Sequence, residues 1–365
     1  MTEGPIGLVS RRVLLSTGGR TAVAATALGG LPGLLAACGG DDADDGGNGA
    51  SAPAGLTRAD IENATGTVRA LVWEGYDAAP IYEGLSGVKI KPGYLTQNED
   101  VLTKLRVGDR AQYTLTTIFQ GYIDPLLALD AIVPIDPKLL TNFSGMFSRF
   151  QDEEAMRRDG KLYSVPFLWG TMQVNYNADE TAEPTSLDDL MDSSLKGRIG
   201  LNDDLYSSIT QFARFAGAEN PNHLTKEELD ETMELLRRFR PQVASIQPGS
   251  ELTGLLSRGE VAVATPDWAP SIVEARKAGL DVKSTMPALT FIDGWLMVRD
   301  GADEAAAYKL IDAAISQDAQ VTAGTDLGLG VVHEAAAGAL PGEIRSAWPY
   351  DDVASLLDEA PVDEL

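Results

Sequence analysis

Three short segments set an acid beside aromatic rings: Trp73-Glu74-Gly75-Tyr76, Asp267-Trp268 and Phe291-Ile292-Asp293. A fourth, Asp203-Asp204, supplies an acidic doublet. Carboxylates and aromatic faces together suit an organic cation. The ring quadrupole attracts an ammonium group, while the carboxylate gives it a charge-assisted hydrogen bond. Taken one at a time, each tryptophan reads as core and each aspartate as a cap or turn, so the weight lies in the recurrence. Paired acids can also cleave glycosides, which makes Asp203 or Asp204 working with Glu74 a hydrolytic alternative. Other catalytic chemistry has few residues to draw on. The chain holds two histidines, His223 and His333, and one cysteine, Cys38, which disfavours Cys/His zinc sites and Cys-His nucleophilic pairs. The P-loop, nucleophile-elbow, H-E-x-x-H and EF-hand patterns are absent, and Gly328-Leu329-Gly330 lacks the third glycine of a dinucleotide fingerprint and reads as a turn. No catalytic, metal or cofactor residue is assigned.

The elements that must position these acids alternate between short β-branched or aromatic runs and longer helical patterns, the order of an α/β architecture. Strands are expected over residues 67–73, 87–94, 113–119, 173–176, 197–202, 260–265 and 290–298. The acid–aromatic segments fall near strand ends, where open α/β sheets bind ligands. A helix starts at the capping box Thr225-Lys226-Glu227-Glu228, with Leu229, Met233, Leu236 and Phe239 as its apolar stripe. Another, over 303–317, directs Ala306, Leu310, Ile311, Ala314 and Ile315 inward. More than 300 residues of this pattern exceed one comfortable core and predict two lobes.

The N-terminus reads as an export leader. Ser10-Arg11-Arg12 precedes a weakly apolar run from Thr21 to Ala37, the layout of a twin-arginine signal. The run is interrupted by Gly29, Gly30, Pro32 and Gly33, which argues against a membrane-spanning anchor. Leu35-Ala36-Ala37-Cys38-Gly39 resembles a bacterial lipobox, in which Cys38 is acylated and becomes the mature first residue. The tether that follows, residues 39–55, has six glycines and four aspartates. Gly-rich chain statistics give it a reach of roughly 20 to 25 Å, enough to hold a folded body just off a membrane. Acidic residues outnumber basic ones by 54 to 29, for a formal net charge of −25, which argues against nucleic acid and against docking on anionic lipid.

Over roughly residues 67 to 340 the chain resembles the spermidine/putrescine-binding proteins of bacterial polyamine transporters. The resemblance is carried, in order, by Leu71-Val72-Trp73-Glu74-Gly75-Tyr76, Pro134-Ile135-Asp136, Leu140-Thr141-Asn142-Phe143-Ser144, Tyr163-Ser164-Val165-Pro166-Phe167-Leu168-Trp169-Gly170, Asn202-Asp203-Asp204 and Phe291-Ile292-Asp293. It implies an α/β, two-lobed periplasmic-binding-protein fold of type II with a hinge. The lobes implied are 56–168 with 290–337, and 169–289 with 338–365. It further implies an extracytoplasmic carrier that closes on a small cationic ligand, a polyamine or related amine, and delivers it to an ABC permease driven by its ATPase subunit.

By motif position Asp204 and Asp293 are amine anchors, with Trp73, Tyr76 and Trp268 as walls and Glu74 alongside. Trp268 sits one residue further along than the family tryptophan, which leaves open that Asp267 faces the cleft instead. The family's second acid after Asp204 is Ser207 here, a serine is Phe119, a nearby aromatic is Gly121, a tryptophan is Phe291 and a tyrosine is Leu329. These departures leave room for an altered amine, for a metal or anion carrier, or for a lipoprotein that has lost its ligand.

Overall fold

The computed structural model of the chain describes residues 55–106, 110–348, 350–354 and 357. The twin-arginine leader, Cys38 and the tether through residue 54 lie outside the described residues. Twelve strands are described: β1 (Gly66–Val72), β2 (Val88–Tyr94), β3 (Leu115–Phe119), β4 (Ile132–Val133), β5 (Arg157–Arg158), β6 (Lys161–Leu162), β7 (Ser164–Asn177), β8 (Ile199–Asn202), β9 (Val243–Gln247), β10 (Val263–Trp268), β11 (Val282–Val298) and β12 (Gly330–Val331). All but the β5–β6 hairpin join one sheet of order β2-β1-β3-β11-β7-β10-β8-β9, with β12 added to β7 and β4 to β11.

The two ends of this sheet are parallel. β1 pairs with β2 and β3, and β8 with β9 and β10. Parallel strands need crossovers, and helices supply them: Ala79–Ser86 returns the chain from β1 to β2, and Leu205–Ala216 with Lys226–Phe239 returns it from β8 to β9. The middle is antiparallel, made of the long strands β7 and β11. All fourteen residues of β7 are buried, so it reads as an unbroken apolar and polar run rather than an alternation.

Two main cores flank these long strands. Leu71, Ile118, Phe167, Trp169, Trp295 and Tyr308 belong to one. Val174, Ile199, Phe212, Leu235, Phe239 and Val263 belong to the other. β7 therefore passes from the first core to the second within about five residues. β11 returns beside it, its pairing interrupted between Thr285 and Leu289 and again between Asp293 and Gly294.

Two expectations are corrected. Residues 338–365, assigned above to the second lobe, contribute Leu340, Ile344, Trp348, Tyr350, Val353 and Leu357 to the first core. The Trp348 ring lies 4.8 Å from Trp169, its Nε1 donates to the Gly328 carbonyl at 3.3 Å, and Val331 N–H donates to the Tyr350 hydroxyl at 2.9 Å. The helix Lys226–Phe239 begins on the expected capping box, buries Phe239 of the expected stripe and packs Leu236 half-buried on the same core, but Thr232 and Leu235 join them and Leu229 is left exposed. Thr232 enters the core because its hydroxyl donates to the Glu228 carbonyl at 2.7 Å and so carries no unmet polar demand.

Candidate functional site

The ends of β1, β3, β8 and β10 and the middle of β11 converge on a cavity of about 610 Å³. β1 delivers Trp73 and Glu74, and a turn closed by Tyr76 N–H donating to the Trp73 carbonyl at 3.0 Å brings Tyr76, itself buried, into the lining. Gly75 makes this turn possible. Its φ is +90°, and a Cβ there would sit 2.7 Å from the Leu327 side chain. β3 ends in Phe119, whose ring meets Tyr122 edge-on at 5.1 Å and Tyr206 at 6.4 Å. Of these two rings, Tyr206 also lines the cavity.

β8 leads to Asp204, the N-cap of helix Leu205–Ala216. Its Oδ1 accepts Ser207 N–H at 2.7 Å, the usual way to satisfy a first-turn donor. On β11, Leu289, Phe291 and Asp293 share one face because strand side chains alternate. Phe291 lies over Gly170 of β7, where a Cβ would come within 2.4 Å of its ring. All nine residues singled out for a ligand, Trp73, Glu74, Tyr76, Phe119, Asp204, Ser207, Trp268, Phe291 and Asp293, line this one cavity.

Asp293 is the buried acid of the cavity. It is 6% exposed and accepts the Tyr76 hydroxyl at 2.5 Å. Burial pushes its carboxyl up to about 7, against the lowering effect of the Tyr76 hydrogen bond. Burial, and then the neighbouring Asp293, hold the Tyr76 phenol well above its ordinary value, so it remains a donor. Among the described residues, no lysine or arginine lines the cavity.

Asp267 does not face the cavity. It is fully buried, with Oδ2 accepting Asn175 Nδ2 at 3.0 Å and Oδ1 accepting the Ser271 hydroxyl at 2.9 Å. The reason is a bulge. Ala264 pairs with Asn175, yet Asp267 pairs with Gln173, so β10 spends one more residue than β7 over this stretch. The extra residue turns Asp267 inward and sets Trp268 opposite Met172, in the cavity wall. Asp203 is exposed and lies outside the cavity lining, so the acidic doublet does not present two carboxylates to one substrate.

The motifs did not disclose Leu95, Thr96, Asn98, Met172, Tyr206, Ser250, Leu289 and Leu327, which complete the lining; Leu329 was noted only as a departure. Met172 and Leu289 lie on the long strands and carry the same apolar signal as core. Among the described residues no group of three or more His, Cys, Asp or Glu side chains is placed to hold a metal ion, and no helix is long and apolar enough to cross a membrane.

The family model for bacterial extracellular solute-binding proteins matches residues 77–348. The chain belongs to this family. Among its relatives, the spermidine/putrescine-binding periplasmic protein of Salmonella typhimurium is 25% identical over 241 residues, 64% of this solute-binding protein and 67% of the relative. The putrescine-binding periplasmic protein PotF of Escherichia coli is 19% identical over 275 residues, covering 67% and 72%. Among solved structures, the substrate-binding protein PotD of a spermidine/putrescine ABC transporter from Streptococcus pneumoniae, in complex with calcium and HEPES, superposes with a TM-score of 0.68 at 18% identity, over 82% of this chain and 93% of that one. The binding protein AgtB from A. tumefacien R10, in complex with agropinic acid, gives 0.58 at 18% identity, over 78% and 88%. The solute-binding protein therefore has the two-lobed periplasmic-binding α/β fold, and β7 contributes to both of its main cores. That fold holds solutes of different charge, so the ligand must be argued from the cavity itself.

Proposed function

We propose that this solute-binding protein captures an organic amine, of the class to which spermidine and putrescine belong, and passes it to the permease of an ABC importer without chemical turnover. One observation carries the reading. A carboxylate, Asp293, is buried in an aromatic and apolar cavity with a single hydrogen bond from Tyr76 and no basic side chain in the lining. A desolvated carboxylate of this kind lacks a cation, and a protonated amine supplies both the charge and the donors. Trp73, Trp268 and Phe291 provide faces for the ligand's carbon body, and Asp204 and Glu74 add negative potential nearer solvent. Contacts to both lobes would favour a closed form only when the ligand is present.

The body is held at the outer face of a membrane through an acylated Cys38. The lobes divide along β7 between Trp169 and Val174 and along β11 between Met286 and Phe291, with the last residues on the first lobe. Calorimetric titration of the full-length chain with primary amines, amino acids and small carboxylates tests the ligand class. Binding confined to amines is expected. Tighter binding of a carboxylate, or heat signals from slow turnover of any solute, would sink the reading. Labelling of the chain by a fatty-acid probe that disappears in Cys38→Ala tests the anchor.

A further inference from the structure

We infer that the ligand carries one ammonium group at the end of an apolar body, and that a diamine charged at both ends is the poorer fit. This rests on the amine reading and concerns what the rest of that amine must be. The floor of the cavity is one face of β11, where Asp293, Phe291 and Leu289 follow one another at every second residue. Their pairing is unbroken, with Asp293 opposite Phe119, Phe291 opposite Gly170 and Leu289 opposite Met172. At about 3.3 Å per residue, Phe291 stands about 7 Å and Leu289 about 13 Å from Asp293 along the strand. Along this face beyond the carboxylate, then, the ligand meets ring and aliphatic carbon, while the polar side chains of the lining, Thr96, Asn98, Ser207 and Ser250, come from other elements. Leu329 and Leu95 add to this wall, both nearly fully buried.

The two other acids of the lining are poor second anchors. Asp204 already accepts Ser207 N–H at the head of helix Leu205–Ala216, where the helix amides balance its charge. Glu74 is exposed at the mouth. An ammonium placed beside either keeps its contact with water, where attraction is screened and small. An ammonium beside Phe291 regains from the ring face only part of the water it loses, and one pressed against Leu289 gains no partner at all, whereas a methyl group at either place gains by leaving water. The absence of lysine and arginine from the described lining disfavours amino acids too, because their carboxylate would meet no cationic side chain there.

The test is a matched pair of ligands, heptylamine and hexamethylenediamine, equal in heavy atoms and differing only in whether the far end is methyl or ammonium. Titrated calorimetrically into the full-length chain, heptylamine is expected to bind about tenfold or more tightly than the diamine, the margin set by an unpaired buried charge. Equal or tighter binding of the diamine overturns the inference and leaves the amine reading standing. So does a selective loss of diamine affinity in Asp204→Asn or Glu74→Gln, which would reveal an outer anchor. Failure of both amines to bind overturns the amine reading, and this inference with it.

Discussion

Asp293 and Asp267 make the most instructive pair in the molecule. Both are buried aspartates beside aromatic residues, and burial pushes both carboxyls up to about 7. Their surroundings differ. Asp267 closes a chain of polar side chains that runs along β7. The Thr171 hydroxyl donates to Gln173 at 2.8 Å, Gln173 to Asn175 at 3.2 Å, and Asn175 to Asp267 at 3.0 Å and to the Trp268 carbonyl at 2.8 Å. On the other side Ser271 donates to Asp267 and lies 2.6 Å from the Thr253 hydroxyl. Asp293 has Tyr76 alone and borders the cavity. A buried acid whose acceptors are filled holds structure together; one with an unfilled acceptor on a cavity awaits a donor. Burial and a raised carboxyl do not separate these roles, but the partners do.

The comparison breaks most sharply on binding. Asp293→Asn keeps the shape and removes the charge, and amine affinity should fall about a hundredfold, in line with the loss of a buried charge pair. Asp267→Asn should change affinity by no more than about threefold. Calorimetry on both variants decides it, and equal losses would erase the distinction.

Stability should invert the order. Asp267→Ala takes an acceptor from one N–H of the Asn175 amide and from the Ser271 hydroxyl and should cost about 2 kcal/mol in denaturant unfolding, within the range for lost buried hydrogen bonds. Asp293→Ala removes an unpaired, desolvated acid and should cost less, leaving only Tyr76 without its acceptor. A larger loss at Asp293 would mean that its hydrogen bond to Tyr76 is structural.

The pH dependence is a smaller effect and has a defined sign. An unfolded aspartate releases its proton near 4, while these two retain theirs until about 7. Between those values the native chain binds more protons than the unfolded one, so both groups make stability fall as pH rises, each by up to about 1.4 kcal/mol per pH unit. The ligand-free chain with Asp267→Asn should therefore show a flatter profile from pH 4 to 7 than the parent. Amine affinity should rise with pH through about 7 as Asp293 ionises, with proton release detectable as a buffer-dependent binding enthalpy. A pH-independent affinity would place the anchoring charge elsewhere. The smallest effect belongs to exposed Glu74: Glu74→Gln should shift affinity by about twofold or less at physiological salt, and more only when salt is lowered.

Much of the cavity was legible because its chemistry is concentrated in rare residue types. Trp73, Tyr76, Trp268 and Asp293 stand out in a row of ordinary residues, and the strand ends that carry them are marked by β-branched runs. Leu95 and Leu289 could not be told from core, because a leucine facing a ligand and one facing a neighbouring helix have the same sequence signature. The helix Lys226–Phe239 shows the same limit. Its start was written in Thr225 and Glu228, which bond each other locally. Its buried face, led by Thr232 and Leu235, depends on what packs against it. The placing of Trp348 and Tyr350 on the first core follows from contact with Trp169 nearly two hundred residues earlier.

The sequence by itself determined the α/β alternation, the helix starts, the acid–aromatic segments and their order, since each depends on periodicity or on bonds within a few residues. Which of the adjacent residues 267 and 268 reached the ligand cavity was decided only in three dimensions. The side-chain period of a strand is two, so one residue added in β10 exchanges the faces of all that follows. The bulge against β7 sets that count, burying Asp267 among its partners and turning Trp268 to the cavity. Tertiary pairing also chose Asp293 as the open acid, by leaving Tyr76 as its single donor on a strand face it shares with Phe291 and Leu289.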